Sequence, residues 1–132
     1  MTENEVSKIL LDAAIEVQKV LGGPGLLESV YEDSLVAELR LRGLRVKQQV
    51  DIPVMYKGQL VGDPFRLDIL VEDKVIVECK ATEKQNPLYV AQLLTYLRQT
   101  GIKLGVLINF GMPKIVMGWE RVVNGLEDNL QK

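Results

Sequence analysis

The stretch Phe65-Arg66-Leu67-Asp68-Ile69-Leu70-Val71, continued after Glu72-Asp73-Lys74 by Val75-Ile76-Val77-Glu78-Cys79-Lys80, restricts this chain more than any other. Both halves alternate at a period of two, as a strand with one buried face does. Alternation puts Phe65, Leu67, Ile69, Val71, Val75, Val77 and Cys79 on one side, and Arg66, Asp68, Leu70, Ile76, Glu78 and Lys80 on the other. A three-residue loop, Glu72-Asp73-Lys74, closes a hairpin that pairs Val71 with Val75, Ile69 with Val77 and Asp68 with Glu78. A two-residue loop would slip the register by one and set apolar residues opposite charged ones.

That register makes two carboxylates face each other, with Lys80 further along the same face. Like charges directly opposite are destabilising unless water or a cation lies between them. Hard oxygen ligands from neighbouring strands suit Mg²⁺ or Mn²⁺ better than zinc. The lack of His and the single Cys also argue against zinc. The plain alternative is an ordinary hairpin with a solvated, charged outer face.

At 132 residues the chain is expected to form one domain, 1–132, with a real core. Its net charge of −2 is unlike that of a nucleic-acid binder driven by electrostatics alone. One Cys precludes an internal disulfide and fits a reducing, cytoplasmic setting. No apolar run reaches membrane-spanning length, so no membrane partner is expected.

Thr2 and Glu5 form a capping box ahead of a helix with Val6, Ile9, Leu10, Ala13, Ala14, Val17, Val20 and Leu21 on one face, ended by Gly22-Gly23-Pro24-Gly25. A second helix is expected over 26–42, with Leu27, Tyr31, Leu35 and Leu39 buried and Gly43 closing it. Glu28 is either a first-turn Glu favoured by the helix dipole or a third oxygen ligand beside Asp68 and Glu78. Alternation from Leu44 to Tyr56 predicts one long strand, and Lys57-Gly58-Gln59 turns it back. Arg40, Arg42, Arg45 and Lys47 form the only dense basic cluster, read as a solvated helix cap rather than a phosphate patch. Asn86-Pro87 starts a third helix, which carries Gln92 and Tyr96 one turn apart and ends at Gly101. The apolar run at 102–110 is a central strand, parallel to the Glu78 strand through a right-handed crossover. A final strand is expected over 114–119, apolar enough to pair across a two-fold axis in a homodimer, with a frayed tail from Asn124.

This order, with Asp68, Glu78-Cys79-Lys80, then Gln92 and Tyr96, resembles the PD-(D/E)XK nuclease superfamily in its RecB-like branch. Gly25-Leu26-Leu27-Glu28-Ser29-Val30-Tyr31 resembles the signature of the bacterial GxxExxY family, and the likeness spans about 11–123. The residue before Asp68 is Leu rather than Pro, and Asp63-Pro64 lies in the wrong order to replace it. The resemblance implies an α/β fold with a restriction-endonuclease-like αβββαβ core, an extra N-terminal helix and a C-terminal strand. It implies a metal-dependent nuclease acting on DNA, with RNA left open as substrate and Mg²⁺ or Mn²⁺ as cofactor. By the same resemblance, Glu28, Asp68, Glu78 and the Cys79 carbonyl are metal ligands, Lys80 activates the attacking water, and Gln92 and Tyr96 orient the phosphate or Lys80. Cys79 as a nucleophile would have no His to activate it. The competing function is a binding or regulatory module on the same fold, since a fold never fixes one function.

Overall fold

A computed structural model describes residues 1–126. Helix α1 spans Glu3–Leu21. Its capping box forms as expected, the Glu5 N–H donating to Thr2 Oγ1 and the Thr2 N–H to Glu5 Oε1. Gly22, at φ 94°, closes α1 in the left-handed conformation that a side chain would resist. Val6, Leu10, Ala13, Ala14 and Val17 are buried, but Val20, expected on the same face, is exposed. Helix α2 spans Glu28–Leu41 and buries Tyr31, Leu35 and Leu39. It begins two residues later than the apolar pattern suggests: Leu27 is the N-cap and is 75% exposed.

The long strand expected through Tyr56 stops at Pro53. Proline has no N–H to give a ladder. Strand β1 is therefore Val46–Ile52, and beyond Pro53 a separate small hairpin forms from β2 (Met55–Tyr56) and β3 (Gln59–Leu60). Strands β4 (Phe65–Val71) and β5 (Val75–Lys80) form the expected hairpin, with Val71 opposite Val75 and Ile69 opposite Val77. Asn86 caps helix α3 (Pro87–Thr100), its side chain accepting from the Leu88 N–H. Strand β6 (Leu104–Asn109) lies parallel to β5, as the crossover requires. The expected strand over 114–119 is mostly a 3₁₀ turn, Ile115–Met117; the last strand, β7, is Trp119–Val123. Gly118 sits so close to the Asn109 carbonyl that a Cβ there would lie 2.3 Å from it, and its own carbonyl accepts from the Asn109 N–H where the β6–β7 pairing begins. The tail does not fray at Asn124, whose backbone N–H donates to Lys103 and whose side chain donates to Leu97 and Ile102 carbonyls. The remainder of that expected tail, 127–132, lies outside the described residues.

The five-stranded sheet runs β1-β4-β5-β6-β7, antiparallel except for β5–β6. Helices α1 and α2 cover one face through Leu10, Tyr31 and Leu35 against Ile69, Val77, Cys79 and Ile108. Helix α3 covers the other through Leu93 and Leu97 against Leu67, Ile76 and Leu107. The architecture is thus a mixed α/β sandwich of three layers. The basic cluster is engaged in contacts within the protein. Arg42 pairs with Asp12 and Glu38, Arg45 with Glu72 and Lys47 with Asp73, while Arg40 donates to the Val46 carbonyl.

One alternation expected from sequence breaks inside β4. Phe65 and Leu67 pack with Leu70 and Ile76 on the α3 side, whereas Ile69 and Val71 face α1 and α2. The partner strand changes sides at the same place, with Val46 toward α1 and α2 but Val50 and Ile52 toward α3. Gln48 pairs with Ile69 and Val50 with Leu67, leaving Gln49 and Asp68 between them unpaired. Gln49 is left-handed, at φ 55°, and this reverses the pleat.

Past Lys80 the chain is anchored by Asn109, which is fully buried. Its Oδ1 accepts from the Thr82 and Gly111 N–H groups, and its Nδ2 donates to the Thr82 carbonyl, Thr82 Oγ1 and Gln85 Oε1. Asn109→Ala strips two backbone donors of their acceptor, and we expect it to cost about 2–5 kcal/mol by urea unfolding at unchanged m-value.

Candidate metal and phosphate site

The β4–β5 ladder ends at Ile69–Val77, one pair before the expected Asp68–Glu78 backbone pairing. Beyond that point side chains take over. The Asp68 N–H donates to Glu78 Oε2 at 2.9 Å, and the Cys79 N–H donates to Asp68 Oδ2 at 2.9 Å. Each carboxylate thus binds the backbone of the opposite strand, so the two acids meet although their backbones do not. Charge-assisted bonds of this kind are about twice as strong as neutral ones.

Both acids are largely removed from water, and Glu78 is only 6% exposed. Burial pushes Asp68 up to about 6; the Cys79 N–H opposes this, and the charges of Glu32 and Glu28 add to it. Burial, followed by the charge of Asp68, pushes Glu78 up to about 8. Lys80 lowers both, but less than these effects raise them. No ion pair holds either acid among the described residues. When both acids ionise, the site carries negative charge that Lys80 offsets only in part.

The remaining expected residues reach the site unequally. Glu28 opens α2, is exposed, and acts on Asp68 through its charge. The Lys80 ammonium lies 4.5 Å from the centroid of the Tyr89 ring. Tyr96 is half-buried and stacked on Phe65 at 4.3 Å; burial, then the charges of Glu78 and Asp68, raise its phenol. Gln92 is exposed on the same stripe of α3. The Cys79 thiol turns into the core among α1 and α2, where burial pushes its pKa well up and leaves it inert. Among the described residues, no three Asp, Glu, Cys or His side chains are already gathered into a metal cage.

Several contributors escape a reading by pattern. Glu32 is 6% exposed, and its Oε2 accepts from both Gln48 and Gln49 side chains at 2.7 Å. Adjacent residues of a regular strand point to opposite faces; these two converge because Gln49 is left-handed. Glu32 ranks ahead of Glu28 in its effect on Asp68 and also acts on Glu78. Its signal in sequence was its place one helical turn after Glu28. Tyr89 falls three residues before Gln92 and seven before Tyr96, a stripe legible in principle.

Tyr31 explains how the loop before α2 is held. Its hydroxyl donates to the Gly23 carbonyl at 2.7 Å and accepts from the Leu26 N–H at 3.1 Å, while its ring stacks on Phe110. Gly25, at φ 116°, makes the turn that delivers Glu28. Between this loop and the segment after Lys80 lies a cleft of about 370 Å³, bordered by Gly25, Leu26, Ala81, Thr82 and Glu83.

A sheet with helices on both faces, and acids where two of its strands part, defines a nuclease-like α/β protein. The family model of the PD-(D/E)XK nuclease superfamily matches residues 4–122, and the chain belongs to that superfamily. The crystal structure of SSO0001 is similar in fold, with a TM-score of 0.55 at 14% identity over 92% of this chain and 79% of that one. No curated protein matches the chain in sequence.

The raised carboxyls have a consequence for stability. Unfolded, Asp68 and Glu78 would titrate near 3.8 and 4.5; folded, they hold protons up to about 6 and 8. The native state binds more protons across that interval, so metal-free stability should fall as pH rises from about 4 to 8. Glu78→Gln keeps an oxygen for the Asp68 N–H and removes the charge. We expect it to raise stability at pH 8 by about 1–3 kcal/mol and to flatten the pH profile, measured by chemical unfolding.

Proposed function

We propose that the protein is a divalent-metal-dependent nuclease that hydrolyses phosphodiester bonds in DNA, and that it belongs to the GxxExxY, RecB-like branch of its superfamily. The carrying observation is the pair of half-buried Asp68 and buried Glu78, held without an ion pair by backbone hydrogen bonds across the two strands beside Lys80. The donor set fits a hard cation: carboxylate oxygens, a nearby backbone carbonyl, and negative charge without a protein counter-ion. Asp68, Glu78 and the Cys79 carbonyl would hold Mg²⁺ or Mn²⁺, with Glu28 reaching in from α2. When bound, such an ion lowers the pKa of a water and neutralises charge on a phosphate.

The side chains have complementary tasks in this reading. The Asp68 and Glu78 carboxylates, fixed by backbone N–H groups, need little reorganisation to receive the ion. Lys80 orients the attacking water and places a positive charge beside the charge that develops on phosphate. Gln92 and Tyr96, on one stripe of α3, orient the phosphate or Lys80. The single domain and the homodimer belong to the same proposal, with β7 as the sheet edge available for pairing.

A non-catalytic binding module is the second reading, favoured by one observation: the dense basic cluster is consumed in internal contacts and offers little to a phosphate backbone. Incubation of the purified protein with single-stranded, duplex and branched DNA, and with RNA, in Mg²⁺ or Mn²⁺ separates the two. We expect cleavage of DNA that Lys80→Ala lowers about 100-fold or more. Calorimetry should show Mn²⁺ binding that tightens from pH 6 to 8, because the ion displaces protons, and that disappears in Glu78→Ala. Absence of cleavage, or equal cleavage by Lys80→Ala, rules the nuclease out; absence of metal binding favours the module.

A further inference from the structure

An ammonium two residues along from a buried acid, on the same strand, has the carboxylates as its simplest ion-pair partners. Lys80 does not take them. Among the described residues no carboxylate lies within ion-pair distance of its nitrogen. The ammonium sits instead over the ring of Tyr89. We propose that Tyr89 is a positioning residue for Lys80, whose ring holds the ammonium clear of Asp68 and Glu78 and keeps its donors free for a water or phosphate. This rests on the nuclease reading for its purpose, though not for its geometry.

The backbone supports such a role. Tyr89 lies in the first turn of α3, its N–H donating to the Asn86 carbonyl at 2.9 Å. The turn begins with Asn86 as cap and Pro87 in the first helical position, which fixes where the ring stands. The chain between Lys80 and α3 is held in turn by buried Asn109, through Thr82 and Gln85. Tyr89 is itself half-buried and packs against the α3-side core, so its ring has one wall of protein. A face of the ring attracts a cation through its quadrupole. A carboxylate in the same place would hold Lys80 more tightly but would neutralise it. An aromatic ring orients the charge without cancelling it.

Tyr89→Leu keeps apolar bulk and removes the π face; Tyr89→Phe keeps the face and removes only the hydroxyl. We expect Tyr89→Leu to lower kcat roughly 3–30-fold with KM for DNA little changed, and Tyr89→Phe to restore it to within about twofold. A readout independent of turnover is the NMR signal of the Lys80 ε-methylene protons in the metal-free protein without DNA. Ring current should shift it upfield in the wild type and in Tyr89→Phe, and return it to the ordinary lysine position in Tyr89→Leu. Absence of the upfield shift in the wild type, its persistence in Tyr89→Leu, or a Tyr89→Phe enzyme as slow as Tyr89→Leu would overturn the proposal. A wild type that cuts no nucleic acid but shows the shift sinks the nuclease reading alone and leaves Tyr89 as the holder of the ammonium.

Discussion

The exchange between Asp68 and Glu78, each carboxylate bound to the backbone of the other's strand, is the constraint on which the surrounding geometry turns. A regular antiparallel pair would satisfy those N–H groups with carbonyls and leave the acids repelling one another across the ladder. Here the acids replace the carbonyls, so the strands part without orphaning either donor. The neighbouring strand accommodates the same break: Gln49 adopts a left-handed backbone and Asp68 drops out of the β1–β4 pairing too. Because both strands change faces there, Asp68 is influenced by Glu32 and Glu28 of α2 and itself acts on Tyr96 of α3. The gap in the ladder joins the two helical layers electrostatically.

What was legible in the sequence follows from short-range rules. The loop through Glu72-Asp73-Lys74, the capping box at Thr2, the Asn86-Pro87 start and the parallel crossover each depend on residues a few positions apart, or on a handedness that has almost no exceptions. The face switch was hidden for the converse reason. Left-handed backbone at a glutamine has no compositional signal, and the tertiary contacts of Glu32 with both Gln48 and Gln49 stabilise it. Pro53 was visible in the alternating run and should have ended the strand there. Within the 114–119 segment, Ile115–Met117 winds into a 3₁₀ turn that periodicity does not encode, and only Trp119 joins the sheet, opposite Ile108. In the site, Glu28 and Glu32 share a helical face, and only burial distinguishes them. Glu32 is bonded and enclosed, while Glu28 is exposed.

The Gly25-to-Tyr31 segment illustrates how one buried side chain can build a loop it does not belong to. Tyr31 occupies the core as an apolar ring stacked on Phe110, yet its hydroxyl spans back to Gly23 and Leu26. Helix α2 lacks any side-chain cap, Leu27 being unable to supply one. The tyrosine fixes the entry to the helix from below. Glu28 is thereby presented from a loop whose position is tied to the core, and its exposure follows from the turn at Gly25 rather than from disorder of the chain.

The charge distribution defines what this arrangement can hold. With the charges of Glu32 and Glu28 on Asp68, and those of Asp68 and Glu32 on Glu78, the ionised site repels a phosphodiester, and Lys80 offsets this only in part. Of the basic cluster, Arg42, Arg45 and Lys47 are paired with Asp12, Glu38, Glu72 and Asp73. Protons can relieve the acids in part, as their raised pKa values indicate, but a protonated carboxyl is a poor ligand and attracts no phosphate. In the proposed function, therefore, Asp68 and Glu78 would release their protons to hold a divalent cation, which would supply the positive charge a phosphate needs at the site. The modest net charge of −2 then presents no contradiction to a nucleic-acid substrate, because attraction would come from an ion held at the site rather than from charge spread over the protein surface.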